Sequence, residues 1–209
     1  KKSGKIFYCD NDAFLSNFLS KPNKHITAYS FPKYIIEDEK FILIHNSNKI
    51  PLNIFGRHNL YNIEAAKCVC KELDINEENF YSSIKNFKGA SRRLTLIKNF
   101  KNHSSVYYDF AHSPSKVLAT INAMKELYPN RNLIACLELH TFSSLNIEFI
   151  PHYFNVFTNC DEVWIYLPEK ELRHKGLCSI DSTFLTDSFN HNHMIIIKDK
   201  NVLKKTLYA

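Results

Sequence analysis

After residue 90 the chain alternates short apolar runs with amphipathic stretches, and no other feature constrains its fold as strongly. SVYYDF (105–110) reads as a strand, SKVLATINAMKELY (115–128) as a helix stopped by Pro129, and NLIACLEL (132–139) as a strand buried on both faces. Residues 145–158 read as helical, divided by Pro151. EVWIYL (162–167) then reads as a strand, 182–189 as a short helix, MIIIKD (194–199) as a strand and 200–208 as the start of a helix. Parallel strands cannot be joined by a tight turn and need a long crossover, which helices at this spacing supply. The predicted fold class is α/β, with a Rossmann-like parallel sheet and flanking helices.

The first part of the chain has a different rhythm. KIFYC, HITAYSF, KYIIED, KFILIH and IPLNIF, all within residues 1–55, carry the period-2 pattern of strands. NLYNIEAAKCVCKEL (59–73) reads as a helix with Leu60, Ile63, Ala66, Cys70 and Leu73 near one face. A second helix is expected over 76–88, with Asn76 as N-cap, an acidic first turn and Gly89 as the C′ residue. The change of pattern falls near 90–103 and divides the chain into a smaller α/β unit, 1–90, and a parallel-sheet unit, 91–209.

Composition narrows the class of protein. Of 209 residues, 44% are hydrophobic and 23% charged, so a packed core is expected rather than disorder. The longest apolar runs, such as MIII at 194–197, are far too short to cross a bilayer, and KKSGKIFYCD has no apolar signal-peptide core. Six cysteines, at 9, 68, 70, 136, 160 and 178, form no CxxC pair and sit in apolar stretches, which predicts reduced, buried thiols in a cytoplasmic protein. His191-Asn192-His193 is the one local cluster of possible metal ligands, and it reads as a polar turn. The net charge of +6 can mean nucleic acid. The lysines are scattered, however, and no RNP, KH or zinc-finger pattern occurs, so small anionic ligands such as nucleotides suit the charge equally well. Neither nucleic acid nor membrane is an expected partner.

Three constellations carry chemistry. In open parallel sheets, ligands gather at the carboxyl ends of the strands. Strand 105–110 ends in Asp109, followed by Phe110-Ala111-His112-Ser113-Pro114, and strand 132–139 ends at His140, followed by Thr141-Phe142-Ser143-Ser144. If the two strands are neighbours, an Asp, two His and several hydroxyls converge on one rim. Ser113 or Ser115 can also be read as a helix cap with Pro114 in the first turn, which leaves the histidines unexplained. The second constellation is GRHNLYN (56–62). Asn59 and Asn62 are three apart, so two carboxamides able to match an adenine edge share one helix face. Asn59 as N-cap and Asn62 as a plain exposed residue is the alternative. The third is GASRRL (89–94), where Arg92 and Arg93 follow a helix end and can clamp phosphate or carboxylate, or simply be surface charge.

In sequence order, GRHNLYNIEAAK, NFKGASRRL and YYDFAHSPSKVLATINAMKELYPNR resemble the Mur ligase family, which shows a GxHNxxNxxAA helix, an F-x-G-x-x-x-R segment and a D-[YF]-A-H-x-P turn. The resemblance is strong over roughly 50–145 and one of pattern elsewhere. It implies three domains: one for a UDP-sugar, a central ATPase with a P-loop, and a Rossmann-like domain that brings the amino acid or peptide. Residues 1–90 would match the end of the central domain and 91–209 most of the last. The resemblance assigns Asn59 and Asn62 to the adenine of ATP, and Arg93 and Asp109 to its ribose and phosphates. His112, Ser113, His140, Thr141, Ser143 and Ser144 fall where the incoming nucleophile binds, with His112 a candidate catalytic group. The implied reaction makes an acyl phosphate on the muramyl carboxylate of UDP-N-acetylmuramate, using ATP and Mg²⁺, and resolves it with an amine. No G-x-x-x-x-G-K-[ST] occurs, so the phosphate cradle and UDP-sugar domain are expected upstream, and the chain alone is expected to be inactive.

Within the family, ACLELHTFSSL resembles the muropeptide ligases of Bacteroidetes-type bacteria, which attach L-Ala-γ-D-Glu-meso-diaminopimelate. Leu139 and Ser144 stand where the L-alanine ligases tend to carry Pro and Arg in P-H-x-x-[ST]-R, and the diaminopimelate-adding DNPR signature is missing. L-alanine as acceptor, and a nucleotide-binding module without chemistry, are the competing readings.

Overall fold

Two units divide the chain, Lys1–Ala90 and Ser91–Ala209. A computed structural model describes residues 4–19, 23–101, 104–177 and 179–208 of them. In the first unit, β1 (Ile6–Cys9) runs parallel to β2 (Ile26–Tyr29), with helix α1 (Ala13–Phe18) between them. An antiparallel meander follows: β3 (Tyr34–Glu37), β4 (Lys40–His45) and β5 (Asn48–Pro51). Its two-residue turns place Asp38, Glu39, Asn46 and Ser47 at φ of 50°, 55°, 46° and 66°. Left-handed pairs of this kind match the twist of a hairpin and fix its register. The expected strand 50–55 is therefore shifted to 48–51, where the second turn sets the pairing of His45 with Asn48.

Helices α2 (Arg57–Glu72) and α3 (Glu77–Asn86) complete the unit. Asn76 caps α3 as expected, its Oδ1 accepting the Asn79 N–H at 2.8 Å. Gly89 lies one position beyond the expected C′, because the helix ends with Phe87 as its C-cap. On α2 the buried positions are Leu60, Ile63 and Glu64, while Leu73 is 67% exposed. The apolar stripe is thus shorter than its spacing suggests. Glu64 tolerates burial because Lys67 sits 2.5 Å away one turn on.

The second unit contains the parallel sheet. β8 (Ile134–Glu138), β9 (Glu162–Tyr166) and β10 (Met194–Ile197) pair in the order β10-β9-β8, all parallel. Helix α4 (Pro114–Leu127) precedes β8. α5 (Glu169–His174) and α6 (Ser182–Phe189) lie between β9 and β10, and α7 (Lys200–Tyr208) follows. This is the expected α/β class, with four differences in detail. β7 (Ser105–Tyr108) pairs antiparallel with β6 (Thr95–Asn99) and, among the described residues, has no ladder to β8. β6 is exposed at every position, so it shows no alternation by which a strand is recognised. β8 buries only Leu137 and exposes Ile134, Cys136 and Glu138, as an edge of the ladder does. The strand with a continuous buried run is β9 (Val163, Trp164, Ile165).

The fourth difference is at 145–158, where two 3₁₀ turns, Ser143–Leu145 and Ile150–Tyr153, replace a helix. Pro151 removes a backbone donor and Asn155 is left-handed at φ 60°, so the segment cannot propagate as α. Its apolar side chains still reach the core. Ile150, Tyr153 and Phe157 are buried with Leu139, Val163, Ile165, Leu185 and Phe189, and Tyr153 stacks on Phe189 at 5.0 Å. The cysteine expectation is also corrected. Cys160 is buried and its thiol is pushed up to about 12 by that burial, but Cys9, Cys68 and Cys70 are half-buried, Cys136 is exposed, and Cys178 lies outside the described residues. Among the described residues no helix is long and apolar enough to cross a membrane.

Candidate functional site

Beyond β7 the chain builds one end of the second unit. Asp109 accepts the Leu94 N–H on Oδ1 at 3.3 Å and the Thr120 hydroxyl on Oδ2 at 2.5 Å. The next residue, Phe110, donates its N–H to the Arg92 carbonyl at 3.0 Å. Arg92 and Leu94 have φ of 60° and 44°, so Arg93 sits between two left-handed residues on a loop pinned from below by Asp109. The Arg93 guanidinium lies 5.7 Å from the Phe110 ring centroid. Phe110 in turn lies 5.3 Å from His112 and 6.4 Å from His140, and the two imidazoles are 6.3 Å apart. The two histidines therefore do converge, although β7 and β8 are not ladder neighbours.

Each imidazole is oriented by the backbone. His112 Nδ1 is 3.0 Å from the Phe110 carbonyl and His140 Nδ1 is 3.3 Å from the Glu138 carbonyl. With the proton on Nδ1, these contacts leave Nε2 of either ring with a free lone pair. His112 is also held at its own carbonyl, which accepts the hydroxyl of Tyr153. Burial keeps that phenol protonated, with its pKa raised to about 12. Sequence reasoning missed Tyr153, which looks like any other aromatic of the core.

Ser113 occupies the N-cap position of α4, but its side chain makes no cap hydrogen bond, so capping is not what its hydroxyl does. Ser144 is 1% exposed, and its hydroxyl is spent within the turn. It accepts the Thr141 N–H at 3.0 Å and donates to the Thr141 carbonyl at 3.1 Å, while the Ser144 N–H donates to Thr141 Oγ1 at 3.1 Å. This reciprocal closure satisfies the Ser144 hydroxyl within the turn. Ser143 and Phe142 remain exposed, and Thr141 and His140 are half-buried.

In the first unit, Gly56 opens α2 at φ 91°, ψ 142°, a backbone conformation that suits only glycine. The cap position is therefore Gly56 and not Asn59. Asn59 lies in the first turn and donates Nδ2–H to the Phe55 carbonyl at 2.8 Å, which leaves its Oδ1 and second N–H available. Asn62, one turn on, is exposed. Among the described residues no three His, Cys, Asp or Glu side chains are grouped to hold a metal ion. His191 Nε2 meets the Cys160 carbonyl at 3.1 Å and its Nδ1 accepts the His193 N–H at 3.2 Å, so the His191–His193 segment is a polar turn, as expected.

No family model matches the chain. A UDP-N-acetylmuramate–L-alanine ligase of Clostridium kluyveri is 30% identical over 175 residues, 78% of this chain and 38% of that protein. Among solved structures, UDP-N-acetylmuramate-alanine ligase MurC from Thermotoga maritima superposes with a TM-score of 0.68 at 14% identity, over 96% of this chain and 44% of that one. A murein peptide ligase mpl from Psychrobacter arcticus gives 0.61 at 18% identity, over 99% and 46%. The folylpolyglutamate synthase of Mycobacterium tuberculosis complexed with ADP gives 0.60 at 12%, over 87% and 42%. The chain spans less than half the length of the curated relatives it matches. The sequence matches, with the α/β fold shared by these ligases, place the chain in the Mur ligase family.

Proposed function

We propose that this chain is part of an ATP-dependent ligase that joins UDP-N-acetylmuramate to the amine of L-Ala-γ-D-Glu-meso-diaminopimelate, through an acyl phosphate. The arc of Arg93, Phe110, His112 and His140 carries the reading, because it sets a cation beside two oriented imidazoles at one end of the sheet unit. In the first step a muramyl carboxylate oxygen attacks the γ-phosphorus and ADP leaves. In the second, the amine attacks the acyl carbon, phosphate leaves, and the nitrogen gives up a proton. Arg93 would stabilise charge on phosphate oxygens. His112, with Nδ1 against the Phe110 carbonyl, offers Nε2 as the acceptor of the amine proton. Asn59 and Asn62 would read the adenine edge through the free part of their carboxamides. Asp109, expected at the ribose and phosphates, has both oxygens engaged by Leu94 and Thr120, so its role here is to hold the Arg93 loop. Ser113, His140, Thr141 and Ser143 remain as acceptor contacts.

The described residues offer no set of Mg²⁺ ligands, and the sequence no P-loop. In this reading, activity in the cytoplasm belongs to the full-length ligase and not to the isolated chain, which spans less than half the length of its curated relatives. Residues 1–90 correspond in this reading to the end of the central ATPase domain and 91–209 to most of the acceptor domain.

L-alanine as acceptor is the second reading, and the names of the curated relatives favour it. The tripeptide is preferred because position 144, Arg in the motif of the alanine-adding enzymes, holds a serine buried in its own turn. The complete gene product, given ATP, UDP-N-acetylmuramate and equal amounts of both acceptors, should yield mainly the tripeptide product by mass spectrometry, since specificity is a ratio of kcat/KM values. Dominant UDP-N-acetylmuramoyl-L-alanine would replace the tripeptide reading with the second.

A further inference from the structure

With Ser144 turned into its own turn, the acceptor's carboxylate lacks a cation from that position. One stands beside the same turn, on a different segment. The Lys175 Nζ lies 4.4 Å from the ring centroid of Phe142, which is 68% exposed and two residues beyond His140. The Lys175 backbone is fixed as well. α5 ends in a Schellman closure, with Leu177 N–H donating to the Leu172 carbonyl at 2.9 Å and Gly176 N–H to the Arg173 carbonyl at 3.1 Å. Gly176 takes the left-handed conformation this requires, at φ 64°. Leu172 is in the core and Leu177 packs against it. Lys175 is thus the C-cap residue of a helix anchored by its apolar neighbours. Its ammonium is held against an aromatic face at the carboxyl ends of β8 and β9, where acceptor ligands gather.

We infer that Lys175 is the carboxylate anchor for the incoming amino acid or peptide, with Phe142 holding its side chain in place. This rests on the ligase reading above. An ammonium is a compact point charge with three donors, suited to a carboxylate that also keeps water. The Phe142 face limits the rotamers Lys175 must give up on binding. Lys175 belongs to no motif that marked the rim in the sequence, because it follows the strand after the one that carries His140.

The test is steady-state kinetics of the complete gene product with saturating ATP and UDP-N-acetylmuramate. The acceptor is offered as the free tripeptide, as L-alanine, and as the C-terminal carboxamide of each. Lys175→Gln should raise the KM for the preferred free acid by about tenfold, as expected for one partly exposed charged contact. It should leave the KM for ATP unchanged and have little effect on the carboxamide. Lys175→Arg should restore most of the loss, and the melting temperature of Lys175→Gln should match wild type. Equal losses for acid and carboxamide, or no change in acceptor KM, would overturn the assignment. A wild-type protein that releases no phosphate with any acceptor would overturn the ligase reading itself, and the anchor with it.

Discussion

Replacing Tyr153 by Phe removes one oxygen from a side chain that is 0% exposed, and two separable consequences follow. The ring keeps its stack on Phe189 at 5.0 Å, so the packing of the core is preserved. At neutral pH the loss is the hydrogen bond to the His112 carbonyl, worth about 1–2 kcal/mol once the stranded acceptor is counted. The second consequence depends on pH. The Tyr153 pKa is raised to about 12 by burial, above its ordinary 10.0, so between those values the folded state retains a proton that the unfolded state has lost. A raised pKa contributes stability below the unfolded value and loses it as pH rises towards the folded one. At pH 11 the unfolded tyrosine is mostly ionised, which favours unfolding by about 1.4 kcal/mol relative to pH 7. Wild type should therefore lead Tyr153→Phe by about 1–2 kcal/mol at pH 7, and that lead should nearly vanish by pH 11. Cys160, also raised to about 12, weakens both proteins alike and cancels in the difference. Urea unfolding of the two proteins at pH 7, 9 and 11 measures it. A lead that stays constant with pH would refute the buried, protonated phenol, and no lead at pH 7 would refute the hydrogen bond.

Arg93→Ala in the complete gene product should raise the KM for ATP by about tenfold or more, as for the loss of a charged contact worth about 1.5–3 kcal/mol, with the KM for the acceptor little changed. Asp109→Ala should have a similar effect on ATP, and the double variant should be far from additive, because Asp109 acts through the loop that carries Arg93. Additive losses in that cycle would return Asp109 to a direct ligand contact. Gly56→Ala should destabilise the first unit by about 1–3 kcal/mol in thermal or urea melts, because φ 91° is strained for any side chain.

The sequence was most informative where residue type and geometry are tightly coupled. Asn76 as a cap, helices α4 and α6 and the three strands of the parallel sheet follow from local chemistry and periodicity. It was least informative where tertiary context decides. β6 is exposed throughout and carries no pattern. The run in β8 looked doubly buried, whereas its neighbour β9 takes that position and leaves Cys136 exposed. Pro151 marks a division of 145–158 in the sequence, but the 3₁₀ turns around it are held by the burial of Ile150 and Tyr153. The same division holds at the site. His112 and His140 were legible because a polar residue at the end of an apolar strand is conspicuous. Tyr153 and Lys175 reach that region from segments with no mark of their own, and the inward turn of Ser144 depends on hydrogen bonds that no motif records.

The closed turn from Thr141 to Ser144 also bears on how this family could diversify. Its internal hydrogen bonds run between Thr141 and Ser144, and Phe142, between them, projects a side chain that is 68% exposed. Thr141 and Ser144, which close the turn, are thus separate from the exposed Phe142. Position 142 can exchange its side chain with little penalty to folding, as a surface site does. Single substitutions there can therefore change what this end of the unit presents, and with it the surroundings of Lys175, while the turn itself stays folded.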